Sequence, residues 1–164
     1  MKVSLIVALA ENGVIGNCGK IPWYIREDLR RFKKLTTNKA ILMGRNTWES
    51  LPVKPLSNRR CFVASKTILN GFIDQRFFLC RSVEHGIYDA DIYGYEECFI
   101  IGGNNIYKEA LELGVIDTMY ITRVKGNYEG DTYFPESSIN WSEWEESEVD
   151  CFDDFMFCKY DRII

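Results

Sequence analysis

Apolar and polar positions follow two different rhythms along this chain. Residues 3–10 are almost wholly apolar, the pattern of a short central strand buried on both faces. Similar runs at residues 40–43, 59–66, 97–101 and 117–124 predict further buried strands, the second of these with a polar exit at Ser65 and Lys66. After Tyr24 the rhythm becomes helical. Asp28, Phe32 and Leu35 fall at i, i+4 and i+7 with Leu29 beside them, while Arg26, Arg30, Lys33 and Lys34 take the other faces. This helix ends near residues 36–38, and Pro22 closes the extended stretch before it. A short helix opens at Gly44, another spans residues 82–88, and a third follows Gly103 to about Leu113. Asn70 and Gly71 form a turn, and residues 76–80 a short strand. From Trp141 the chain alternates through Trp144, Glu146 and Glu148, then Phe155, Phe157, Lys159 and Asp161, which reads as a closing hairpin. The sum is one α/β domain over residues 1–164. It has a mostly parallel eight-stranded sheet, an antiparallel C-terminal hairpin and about four flanking helices.

Composition narrows the function classes. With 164 residues, 46% hydrophobic and 27% charged, the chain can bury a full core. No apolar run of about 18 residues predicts a membrane span, and residues 1–5 show no signal-peptide pattern. A net charge of −4, with acids crowded after Glu129, argues against a nucleic-acid partner. The six cysteines form no Cys-x-x-Cys pair, and His85 is the one histidine. A zinc set and a histidine-based hydrolase triad are therefore not expected, and unpaired thiols point to a reducing, cytoplasmic setting.

Three stretches carry candidate chemistry. Asp28 sits on an apolar stripe beside Trp23 and Phe32. One reading makes it a first-turn acid serving its helix's dipole and free amides; the other makes it a buried acid awaiting a cationic or amidine-like ligand. Residues 11–20, with glycines at 13, 16 and 19, form a long loop that is either an irregular connection or a binding lid. Gly44-Arg45-Asn46-Thr47 and Ile101-Gly102-Gly103-Asn104 are two strand–glycine–helix junctions suited to phosphate. Neither is a Gly-x-Gly-x-x-Gly fingerprint, so together they suggest a dinucleotide spread along one sheet edge.

These residues also match a known family. The chain resembles dihydrofolate reductase through Leu5-Ile6-Val7-Ala8-Leu9-Ala10, Val14-Ile15-Gly16, Ile21-Pro22-Trp23 with Asp28 and Phe32, Met43-Gly44-Arg45-Asn46-Thr47-Trp48-Glu49-Ser50, Ile101-Gly102-Gly103 with Tyr107, Tyr120-Ile121-Thr122, and Gly130-Asp131-Thr132-Tyr133-Phe134-Pro135. The resemblance implies NADPH-dependent reduction of 7,8-dihydrofolate, by a monomer sensitive to antifolates of the methotrexate and trimethoprim type. Asp28 would hold the pterin's ring nitrogen and amino group, supported by Thr122 and by a water near Trp23. Ile6, Ala8, Phe32 and Leu56 would wall the substrate, and Arg59 would take its glutamate carboxylate. Ala8, Ile15, Gly16, Ile101 and Tyr107 would surround the nicotinamide. Gly44, Asn46, Thr47, Gly102, Gly103 and Asn104 would hold the pyrophosphate region, and Arg45, Ser65 and Lys66 the 2′-phosphate. The loop at 11–20 would be a lid braced by Gly130 and Asp131. Asn104 departs from a common third glycine, and Asn105 stands where some members carry a basic residue. A reductase of the same fold acting on another heterocycle is disfavoured by the joint presence of Trp23, Asp28 and Arg59. The alternative from another class is a non-catalytic folate or NADPH carrier, or a structural protein retaining the fold.

Overall fold

The structure, a computed structural model, describes residues 1–67 and 74–163. The turn expected at Asn70 and Gly71 lies outside the described residues. In order, the elements are β1 (Lys2–Ala10), β2 (Val14–Gly16), α1 (Arg26–Thr36), β3 (Ala40–Gly44), α2 (Arg45–Ser50), β4 (Arg60–Ala64), β5 (Phe78–Cys80), α3 (Val83–Ile92), β6 (Glu97–Ile100), α4 (Asn104–Leu113), β7 (Thr118–Val124), β8 (Thr132–Tyr133), β9 (Trp144–Cys151) and β10 (Phe155–Arg162).

Eight strands form one sheet in the order β5-β4-β3-β6-β1-β7-β10-β9. From β5 to β7 every pairing is parallel; β10 runs antiparallel to both β7 and β9. The mostly parallel sheet with its closing hairpin is as expected from the apolar runs. β2 and β8 add a small separate ladder, so the 11–20 segment is not simply a loop.

The period-2 geometry of the strands divides the core between the two sheet faces. Leu5, Val7, Leu9, Leu42, Phe62 and Ile100 pack on one face with Val83, Ala90 and Ala110 of α3 and α4. Ile41, Met43, Val63 and Phe99 pack on the other with Trp48 of α2 and Leu35 of α1. The helices therefore cover both faces, which explains why the central strands read as continuous apolar runs.

Two helices also differ from the sequence expectation. The helix expected at 82–88 extends to Ile92, because Ser82 caps it from the side-chain oxygen and nothing stops it before Gly94, whose φ is +86°. The Leu29 expected on the buried stripe of α1 is 49% exposed. On a helix Leu29 lies about 100° from Asp28, whereas Arg31 lies only about 60° away on the other side. The sheet-facing arc thus carries Arg31, Asp28, Leu35 and Phe32.

One packing contact yields a direct stability prediction. A Cβ on Gly86 of α3 would come within 2.2 Å of Leu42 Cδ1 and 3.0 Å of Cys80 Sγ, both in the core. Gly86→Ala gains helix propensity of about 1 kcal/mol, yet overpacking costs about 1–3 kcal/mol and should win. Urea unfolding should show a lowered midpoint; an unchanged or raised midpoint would mean that Leu42 moves aside freely.

Candidate active site

On β1, a strand otherwise buried, only Ile6 and Ala8 among its inner positions remain partly exposed. Both face the α1 side of the sheet. Parallel pairing sets Ile6 beside Tyr120 and Ala8 beside Thr122 of β7. β1 stays paired with β6 only as far as Leu5 and Ile100, after which β6 ends in Ile101, Gly102 and Gly103. The sheet opens there at its carboxyl edge, between central strands that lead to helices on opposite faces. Such a crevice is where open α/β sheets take ligands.

Asp28 reaches this opening from the first turn of α1. Its Oδ1 accepts a 2.5 Å hydrogen bond from the Thr122 hydroxyl, 94 positions away. The acid is therefore tied to the sheet, and the N-cap, Ile25, supplies no side-chain cap. That hydrogen bond engages Asp28 with the sheet rather than with the free amides of its own helix. Burial raises its pKa above the ordinary carboxylate value, with the Thr122 hydrogen bond and the charge of Arg31 pulling the other way. Its second oxygen is not buried without a partner.

Ile6, Leu56 and Ile101 pack at the margin of the α1-side core. Arg59 lies 5.9 Å from the Phe32 ring, its Nη1 donating to Thr36 Oγ1 at 3.2 Å and its Nε to the Ser57 carbonyl at 2.9 Å. The guanidinium is thus held at the rim beside Phe32. Trp23 meets Tyr128 edge-on at 5.1 Å.

Residues 11–20 are laced to residues 126–134. Glu11 N–H donates to the Gly126 carbonyl, Phe134 N–H to that of Gly13, and Asp131 N–H to that of Gly16. The Asp131 carboxylate accepts the Cys18 N–H at 3.0 Å and sits below the ordinary pKa chiefly because of it. Cys18 has a φ of +51°, so the contact fixes an unusual backbone turn rather than using the thiol. Val14 is fully buried, and a Cβ on Gly130 would fall 2.4 Å from Val14 Cγ1 and 2.6 Å from the Gly16 carbonyl oxygen. Only a glycine lets these two segments close. Ile15 and Gly16 therefore lie on a paired strand beside the opening, and the expected brace at Gly130 and Asp131 is present.

The two glycine turns adjoin. Gly44 N–H donates to the Gly102 carbonyl at 2.8 Å, and Ile101 N–H to that of Leu42 at 2.9 Å. A Cβ on Gly103 would meet Thr47 Oγ1 at 3.6 Å. Gly103 caps α4 with no side-chain hydrogen bond, and Asn104 Oδ1 takes only the Asn105 N–H. The start of α4 and the Thr47 hydroxyl of α2 thus meet at the seam, where a helix N-terminus suits the pyrophosphate of a dinucleotide. Tyr107, buried below, donates to the Ile6 carbonyl at 2.8 Å and supports the floor of this seam from beneath. β3 and β4 lie in register with Gly44 beside Ala64, so Arg45 and Ser65–Lys66 leave the same sheet edge. Arg45 and Asn46 are exposed, as is Lys66; Arg45 pairs with Glu49 at 3.0 Å. Among the described residues, no group of three His, Cys, Asp or Glu is arranged to hold a metal.

Three participants were not singled out from the sequence: Tyr128 against Trp23, Phe157 beside Thr122 in the β10–β7 register, and Arg31 above Phe157. The helical arc of α1 carried a signal for Arg31; the two rings depend on long-range pairing and carried none.

A half-buried acid and two adjoining glycine turns at the open carboxyl edge of an α/β sheet make up a ligand-binding cleft of the nucleotide-binding class. A sequence profile described as dihydrofolate reductase matches residues 2–162. The chain is 43% identical over 139 residues to the dihydrofolate reductase of Buchnera aphidicola from Acyrthosiphon pisum, covering 85% of this chain and 82% of that one. It is 40% identical over 148 residues to that of Neisseria meningitidis, covering 90% and 86%. A dihydrofolate reductase structure from Enterococcus faecalis, complexed with NADP(H) and RAB-propyl, superposes with a TM-score of 0.85 at 32% identity, covering 98% and 96%. This chain belongs to the dihydrofolate reductase family.

Proposed function

We propose that the chain reduces 7,8-dihydrofolate to 5,6,7,8-tetrahydrofolate with NADPH. The single observation that carries this reading is Asp28, a half-buried carboxylate held from the first turn of α1 onto Thr122 of β7. An acid so placed suits a flat heterocycle presenting a ring N–H and an adjacent amino group, the edge of a pterin. Bound NADPH would supply the hydride at the pterin's C6. The protein's part is orientation, dryness and a proton.

Asp28 and Thr122 are assigned the pterin edge, and Trp23 the wall beside the water that passes a proton to N5. Ile6, Ala8, Phe32 and Leu56 wall the rings, and Arg59 takes the glutamate carboxylate. Ala8, Ile15, Gly16, Ile101 and Tyr107 surround the nicotinamide. Gly44, Asn46, Thr47, Gly102, Gly103 and Asn104 take the pyrophosphate region; Arg45, Ser65 and Lys66 take the 2′-phosphate. Because a proton must reach N5, turnover should fall as pH rises past neutrality. Diaminopyrimidine antifolates, which present an amidine edge, should compete at Asp28. A cytoplasmic monomer is the accompanying reading. The four buried thiols suit a reducing compartment, and the edge strand β9 exposes Glu145, Glu146 and Glu148, which repel a second copy.

The test is the loss of NADPH's near-ultraviolet absorbance on adding dihydrofolate. Turnover is expected with NADPH and at least about tenfold less efficiently with NADH, since Arg45 and Lys66 would then face no phosphate. A folded protein that binds NADPH without oxidising it would favour the non-catalytic carrier, for which the named relatives give no support.

A further inference from the structure

Asp28 has a cationic neighbour that the substrate contacts above do not use. Arg31 lies three positions further along α1, on the same sheet-facing arc. Its guanidinium stands 4.4 Å from the centre of the Phe157 ring and 5.4 Å from that of Tyr120. It makes no hydrogen bond or ion pair with a described residue. A long cation usually extends to water or to a carboxylate; this one is stored against two ring faces. The same two strands hold both partners. β7 supplies Thr122 to Asp28 and Tyr120 to Arg31, while β10 sets Phe157 opposite Thr122.

We propose that Arg31 is a positioning residue for the reaction: clamped over Phe157 and Tyr120, its fixed positive charge keeps Asp28 a carboxylate turned toward the pterin and so sets the pH range of turnover. This rests on the reductase reading of the cleft. Burial works against the charge on both residues, and each supports the charge of the other. Besides Asp28, Glu148 of β9 also supports the charge on Arg31. Tyr107 of α4 and Tyr120 of β7 are pushed upward by burial and stay neutral. The buried Cys158 thiol is likewise raised. Glu148 is in turn paired with Lys159 of β10 at 3.9 Å, whose ammonium lies 5.8 Å from the centre of the Tyr120 ring.

Two readouts separate this role from a structural one: the titration of the Asp28 carboxyl carbon by NMR in the ligand-free protein, and the pH profile of kcat. Arg31→Met keeps the apolar stem and removes the charge. Its Asp28 midpoint and the alkaline limb of kcat should both move up by about one pH unit. Arg31→Lys should restore most of the wild-type profile, because it restores charge without the flat stack. If Arg31→Met does not fold, Phe157→Leu loosens the clamp, and a smaller shift in the same direction is expected. Unmoved midpoints in a folded Met or Leu variant, or a Lys variant shifted as far as Met, would overturn the proposal. Absent wild-type turnover would instead count against the reductase reading, while the NMR titration would still decide the hold of Arg31 on Asp28.

Discussion

Asp28→Asn should lower kcat/KM for dihydrofolate near neutral pH by about 10²–10⁴-fold, the usual weight of a positioned proton-handling group. Asparagine keeps the shape and can still accept from Thr122, so the pocket should survive. What is lost is a charge to hold the pterin's N–H edge and to favour a proton at N5. Lowering the pH should restore part of the activity, because substrate already protonated in solution no longer needs the carboxylate. The substitution should also leave the fold as stable as before, or more so. Asp28 has a raised folded pKa, caused first by burial. Well below the unfolded value the group is neutral in both states and costs nothing. As pH rises through the folded pKa, the native state must carry a desolvated charge that the unfolded chain keeps in water, and stability is lost. Asparagine is neutral throughout, so its Tm near neutral pH should equal or exceed that of the wild type. Steady-state kinetics across pH, with thermal melts on the same samples, check both halves. Equal activity in the two proteins would remove Asp28 from the centre of the mechanism.

Gly102→Ala is expected to be nearly as damaging, for a different reason. Gly102 has a φ of +119°, which an L side chain rarely adopts, and an added Cβ would stand 3.2–3.3 Å from two ring carbons and the hydroxyl oxygen of the buried Tyr107. Neither obstacle can be relieved locally, because the Tyr107 hydroxyl is anchored on the Ile6 carbonyl and the Gly102 carbonyl accepts from Gly44. Strain of this kind costs about 1–3 kcal/mol. Displacing the turn would disturb the amides assigned to the pyrophosphate. NADPH affinity, followed by quenching of tryptophan fluorescence, should weaken by about tenfold or more, with a lowered urea midpoint. A dissociation constant within twofold of wild type would show that the seam at Gly102 is not where the dinucleotide lies.

The framework was legible in the sequence wherever local rhythm carries the information. The apolar runs at β1, β3, β4, β6 and β7 mark strands buried on both faces, and the two glycine junctions mark the sheet edge where ligands gather. Asp28 stood out because a carboxylate on an apolar arc needs a partner. The partner, Thr122, is fixed by the packing of α1 against β7, and the helix pattern alone favoured a first-turn role in the helix's own dipole. Arg31 was hidden in a run of basic residues, and only its angular place on the helix separates it from Arg30. β2 was unreadable for a related reason. Three residues have no rhythm of their own, and Val14–Gly16 becomes a strand by pairing with Thr132–Tyr133, more than a hundred positions on. The glycine at 130 likewise shows its purpose only against Val14 and the Gly16 carbonyl.

The most direct measurement is the position of a pterin relative to Asp28 in a crystal of the protein with folate and oxidised NADP. Both Asp28 carboxylate oxygens are expected within about 2.6–3.2 Å of the pterin's ring nitrogen and its amino group, with C6 turned toward C4 of the nicotinamide and the pyrophosphate along Gly102 and Gly103. A pterin whose N–H edge lies away from Asp28, with that carboxylate bound only to Thr122 and water, would contradict the assignment of this acid as the group around which the cleft is built.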